Sequence, residues 1–230
     1  ADADRSLALL RSRPANRDFA GRSIDRKVLL PHTGKRLPYS MWLQRGAAPL
    51  VCLVPGIGAD RKSNAALILA EMLHAEGCSV VSIGSVFHAE FLTAALTNPF
   101  PAYTPADAAD VYKALAAIVA DIERRHPERV DEVRLAGYSL GGIQALFIAA
   151  WQDRQPEDGL RFASVTAINP PVDAFAAAIA FDRFFRVPLQ WPEAERQERL
   201  RELALRLVTW AQGPNDPGGP LPFRRDESQF

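Results

Sequence analysis

Gly137-Tyr138-Ser139-Leu140-Gly141 is the segment of this chain whose residue types and spacing point most directly to chemistry. It fits a G-x-S-x-G pattern, in which a serine sits on a sharp turn between a strand and a helix with its hydroxyl raised above the strand end. The glycines matter because such a turn presses backbone segments together and leaves no room for Cβ atoms. Gly142 extends the run of small residues. An alkyl hydroxyl is a poor nucleophile until a base takes its proton, so the chemistry on offer is acyl transfer through a covalent serine intermediate. The alternative is an ordinary glycine-rich strand-to-helix turn, since a pattern with two free positions also arises by chance.

The partners of Ser139 are harder to place. All four histidines, His32, His74, His88 and His126, precede it. His74 and His126 fall near predicted helix C-termini, where a favourable dipole contact explains them, and His32 flanks a predicted hairpin turn. His88 is the more interesting, because it follows a predicted parallel strand, and loops at the carboxyl ends of such strands line active sites. Asp173 follows another predicted strand. It is a candidate triad acid, or the N-cap of a helix beginning Ala174-Phe175.

These positions depend on the elements that carry them. Lys27 to Leu30 and Leu37 to Gln44 read as an antiparallel hairpin around Thr33 and Gly34. Leu50 to Val54 is an unbroken apolar run ended by Pro55-Gly56, as expected of a strand buried on both faces. Asn64 to Ala75 reads as a helix closed by Gly77, with a second buried run at Cys78 to Ile83. Thr104-Pro105-Ala106-Asp107 supplies a capping hydroxyl, a first-turn proline and an acid, so a long helix starts there and stops before Pro127. Val133 to Ala136 is then a third buried strand leading into the Gly137 turn, with a helix through Ala145 to Trp151 and a fourth strand at Ala163 to Ile168. This alternation predicts an α/β fold, a mostly parallel sheet opened by an antiparallel hairpin and covered by helices on both faces.

The opening hairpin, the Val54-Pro55-Gly56-Ile57-Gly58 loop, the Tyr103 to His126 helix and the Gly137 to Gly141 elbow together resemble the α/β-hydrolase family over roughly Lys27 to Asp173. The resemblance implies an oxyanion hole made by two backbone N–H groups, one from the loop after the third strand and one from the residue after the serine. Carried onto this chain, those are Ile57 and Leu140. Gly56, His88 and Tyr138 are then expected to border the substrate pocket. Where many lipases and esterases have His-Gly, this chain has Pro55-Gly56, and a plain β-turn is the alternative for that loop. The family's order is serine, acid, histidine. No histidine follows Ser139 here, so the resemblance implies that the part carrying later strands and the histidine is missing.

The implied organisation is an arm over residues 1–26, a partial α/β-hydrolase core over 27–173, and a helical, lid-like segment with a tail over 174–230. Phe175, Phe181, Phe184, Phe185, Trp191 and Trp210 concentrate in that last segment, either as an aromatic lid or as rings that pack the helices. The 23% of charged residues sum to a net charge of zero, which gives no global field to gather nucleic acid. Nothing approaches a run of about 20 apolar residues, so a soluble chain is expected, cytoplasmic or exported. Its start at Ala1-Asp2 rather than Met fits a trimmed, mature end. Cys52 and Cys78 sit in apolar runs and read as buried thiols, with a disulfide conceivable if their strands are neighbours. No metal-ligand cluster, phosphate-binding loop or dinucleotide fingerprint is present, so no cofactor is implied. The leading expectation is a serine hydrolase of carboxylic esters or related small acyl substrates. A non-catalytic domain that keeps the elbow as architecture, and an acyltransferase that uses the same serine, are the alternatives.

Overall fold

A computed structural model describes residues 18–101, 103–152 and 159–212. Strand β1 (Ile24–Leu29) pairs antiparallel with β2 (Arg36–Trp42), and the turn between them uses Gly34 at a φ of 69°. Strand β3 (Ala48–Val54), helix α1 (Asn64–Ala75) and strand β4 (Ser79–Ser82) form a β-α-β unit with parallel strands. A short helix α2 (Ala89–Ala94) and the long α3 (Thr104–Arg125) lead to β5 (Val130–Tyr138), α4 (Leu140–Gln152) and β6 (Ser164–Ile168). The sheet order is β1-β2-β4-β3-β5-β6, parallel from β4 through β6.

Side chains alternate across a strand, and β3 shows what that does here. Leu50, Cys52 and Val54 enter one apolar cluster with Val111, Leu115 and Ile118 of α3 and Ile148 of α4. Val51 and Leu53 enter a second cluster with Ala66, Leu67 and Ala70 of α1. The expected helices therefore cover both faces, and the continuous apolar run of β3 is the consequence.

Several boundaries differ from the sequence-based reading for visible reasons. Strand β2 stops at Trp42, because the Gln44 backbone N–H donates to Ser79 Oγ and its side chain caps the carbonyls of His74 and Cys78. Strand β5 begins earlier than Val133, since Glu132 and Arg134 pair with each other and hide an extended strand behind charge. Helix α2 is too short for a period and starts where His88 caps it. The irregular arm predicted over Arg11 to Arg22 is anchored in its described part. Phe19 is buried, stacks on Trp42 at 5.1 Å and accepts a hydrogen bond from the indole N–H. Cys52 and Cys78 are both free and buried, and the register sets Cys52 against Val81, beyond Cys78.

Strand β6 breaks the pattern of buried strands. Among the described residues it pairs only with β5, and Ser164, Thr166 and Ile168 are exposed.

The chain divides into two compact units at Val172/Asp173. In the second, α5 (Ala174–Arg186), a 3-10 turn (Val187–Gln190) and α6 (Glu193–Gln212) are described. Phe175 and Phe181 are exposed, while Arg199 lies over the Trp191 ring at 4.6 Å. The side chains of Phe184, Phe185 and Trp210, and the tail after Gln212, lie outside the described residues. No helix among the described residues is long and apolar enough to cross a membrane.

His126 closes α3, and its surroundings predict a pH dependence of stability. Its Nε2 is buried without a hydrogen-bond partner among the described residues. Burial first, and then Arg129, Arg26 and Arg125, hold its pKa below the ordinary histidine value against a smaller pull from Asp121. Below about pH 6.5 the unfolded chain binds a proton that the folded chain declines, so stability rises with pH across that window. Urea melts between about pH 5 and 7 should show this slope, and His126→Gln should flatten it. An unchanged slope in the variant would assign the dependence to other groups.

Candidate active site

Strand β5 ends in Tyr138, Ser139 turns the chain at a φ of 53°, and α4 begins at Leu140. This left-handed conformation costs an L-residue about 1–2 kcal/mol, and the surroundings hold it in place. The Ser139 N–H donates to the Ile168 carbonyl at the end of β6 (2.9 Å), and the Ser139 carbonyl accepts from the N–H groups of Gly142 (2.9 Å) and Ile143 (3.3 Å).

The glycines of the motif are required by contact. A Cβ on Gly137 would lie 2.1 Å from the Gly141 carbonyl oxygen, and one on Gly141 would lie 2.1 Å from that of Val54. The elbow is thus wedged against the end of β3, from which the loop Pro55 to Ser63 departs. A Cβ on Gly56 would stand 3.1 Å from Ser139 Cβ and 3.5 Å from its Oγ, so this loop runs against the serine itself. Neither Ile57 N–H nor Leu140 N–H is taken up by a carbonyl or side chain among the described residues. Leu140 N–H is one of the orphan donors that every helix start leaves. The structure thus brings Gly56 against Ser139 and leaves both predicted donors unengaged beside it in sequence.

The other predicted residues have structural employment. Tyr138 holds the loop, its hydroxyl meeting Ser63 Oγ at 3.2 Å. Burial raises its pKa, opposed by hydrogen bonds from Ser63 and the Gly56 backbone. His88 is the N-cap of α2, with Nδ1 accepting from the Glu90 N–H at 3.4 Å. It follows β4, which stands two strand positions from β5, about 10 Å at the usual spacing. His32 Nε2 bonds the Ala95 carbonyl at 2.9 Å, and His74 packs edge-on to Phe19. Asp173, in the second unit, caps α5 by accepting from the Ala176 N–H at 2.8 Å.

Sequence reasoning missed a polar network next to the loop, made by Arg61, Ser40, Glu90, Asp25 and Lys62. Its members are far apart in sequence, and only the pairing of β1, β2 and β4 brings them together. A groove of about 450 Å³ lies elsewhere, along β1 and α3, lined by Lys27, Leu29, Arg36 and Arg125 among others, and it holds none of the predicted site residues. No group of His, Cys, Asp and Glu among the described residues could hold a metal ion.

No protein-family signature and no curated protein sequence matches this chain. Solved structures do. The esterase Pf2001 of Pyrococcus furiosus superposes with a TM-score of 0.52 at 13% identity, over 86% of this chain and 65% of that one. The esterase Est22 gives 0.52 at 16%, over 73% and 50%. The α/β hydrolase GrgF from Penicillium sp. sh18 gives 0.50 at 16%, over 78% and 55%. This chain therefore spans between half and two thirds of each of these proteins. The strand order, the elbow and these superpositions agree that the chain has the fold of the α/β-hydrolase superfamily.

Proposed function

We propose that the chain is the nucleophile-bearing part of a serine hydrolase acting on carboxylic esters or related small acyl substrates. The observation that carries this is the strained Ser139 turn, with Gly56 pressed against the side chain and two unengaged backbone donors, Ile57 N–H and Leu140 N–H, in the flanking segments. Two of the three structural neighbours above are esterases by name, which supports the ester class.

In this reading Ser139 Oγ attacks the acyl carbon while a base takes the hydroxyl proton. The carbonyl oxygen becomes an oxyanion that accepts from Ile57 N–H and Leu140 N–H, each worth about 3 kcal/mol. Collapse of the tetrahedral intermediate expels the alcohol, which leaves with the base's proton, and water then attacks the acyl-serine by the same route. No histidine of this chain is built for the base: His88 is committed to capping α2, and the other three are bound or packed elsewhere.

The second reading, a domain that binds without turnover, is favoured by one fact, the lack of any histidine after Ser139. A fluorophosphonate probe with mass-spectrometric mapping separates the two. The protein should be labelled at Ser139, and Ser139→Ala should not be labelled. No labelling of the wild type would leave the binding reading.

A further inference from the structure

The loop from Pro55 to Ser63 has no regular structure, and Ile57 near its start is 67% exposed, so apolar packing of that side chain does not hold it where the oxyanion needs it. Polar tethers do. The Ser85 N–H donates to the Ala59 carbonyl at 2.9 Å, Ser63 Oγ meets Tyr138, and the turn is braced by Asp60 Oδ1 accepting from the Lys62 N–H at 2.6 Å. Arg61 differs from these in reaching two other elements at once. Its Nε donates to Ser40 Oγ on β2 at 3.0 Å, and its Nη1 donates to Glu90 on α2. Ser40 is fully buried and in turn donates to Asp25 on β1 at 2.7 Å, and Asp25 accepts from Lys62 of the same loop at 2.7 Å.

We infer that Arg61 is a positioning residue that fixes the Ile57 N–H by clamping the loop to β2 and α2, an inference that rests on the hydrolase reading. A guanidinium is suited to the task, because its planar fork holds two acceptors in fixed directions, which an ammonium does not. The clamp matters because backbone donors stabilise an oxyanion only when they are already in place, and a displacement of about 1 Å is enough to lose most of the benefit. Arg61 touches no reacting atom. Its loss leaves Ser139 and the base intact but lets the loop wander, so the transition state suffers and ground-state binding does not.

The test compares Arg61→Ala and Arg61→Lys with the wild type in the full gene product. It follows p-nitrophenyl acetate hydrolysis, fluorophosphonate labelling of Ser139, and amide hydrogen exchange of the segment 55–63. Arg61→Ala should lower kcat and the labelling rate about ten- to hundredfold, with KM within about twofold. Exchange should rise in 55–63 and stay unchanged in β5 and α4, and Arg61→Lys should fall between. If Arg61→Ala does not fold, Glu90→Gln weakens the same clamp and is read the same way. Unchanged exchange in the loop, or a loosened loop with unchanged kcat, overturns the inference. A wild type that is not labelled at Ser139 overturns the hydrolase reading instead, and the exchange data then still decide whether Arg61 holds the loop.

Discussion

Replacing Ser139 with glycine is expected to abolish reaction with an acyl probe while raising the melting temperature. The two effects have separate origins. Ser139 sits at a φ of 53°, where an L-residue carries about 1–2 kcal/mol of strain, and glycine carries none. Against that, glycine adds unfolded-chain entropy worth roughly 0.5–1 kcal/mol. The balance favours the variant by about 0–1.5 kcal/mol, a rise of up to a few degrees for a chain of this length. Loss of the nucleophile should cost about 10⁴-fold or more in labelling or turnover. Ser139→Ala is the informative control, since alanine removes the hydroxyl and keeps the strain, so it should be equally inert without the thermal gain. Calorimetry and probe labelling of the three proteins decide the matter. An alanine variant that still reacts would remove Ser139 as the nucleophile, and a glycine variant that melts lower would mean the turn is not held under strain.

A stability gain on removing the serine would also explain why the elbow was legible from sequence. Strain of this kind persists only where neighbouring elements over-determine it, and those elements announce themselves locally. The apolar run of β3, the run ahead of Gly137 and the small residues around the turn are consequences of strands buried on both faces with backbones in contact. The same logic shows where sequence reading stops. The Arg61 network joins residues of β1, β2, the β3–α1 loop and α2, and no local pattern marks them, because the contacts exist only after β4 inserts between β2 and β3. For Tyr138 and His88, which the sequence suggests as pocket residues, the structure gives each a hydrogen bond that the sequence did not foretell, one to Ser63 and one to the Glu90 N–H. The exposure of β6 was equally hidden. Ser164-Val165-Thr166-Ala167-Ile168 is a good strand by propensity, and propensity says nothing about whether an outer neighbour covers it.

Gly141→Ala is expected to have the largest effect on folding of any single methyl added to this chain's elbow, and it tests the architecture independently of the chemistry. Its Cβ would stand 2.1 Å from the Val54 carbonyl oxygen and 2.6 Å from that of Pro55, both backbone atoms. Val54 cannot move aside cheaply, because β3 lies between β4 and β5 and Val54 pairs with Gly137. Overpacking against side chains typically costs about 1–3 kcal/mol, and here the obstacle is a central strand, so about 3 kcal/mol or more is expected, out of a total near 5–15. Gly46→Ala is the matched control: a Cβ there meets nothing within 4 Å, so its urea midpoint should move little or rise. Gly137→Ala makes a different clash, 2.1 Å from the Gly141 carbonyl oxygen, so both variants press on residue 141. The double variant should therefore depart from the sum of the two singles, as neighbouring sites that share a residue do. If Gly141→Ala behaved like Gly46→Ala in urea, the close approach of α4 to the end of β3 would be wrong. The placement of Ser139 beside the Pro55 to Ser63 loop would fall with it, because that same approach is what brings Gly56 within contact of the serine.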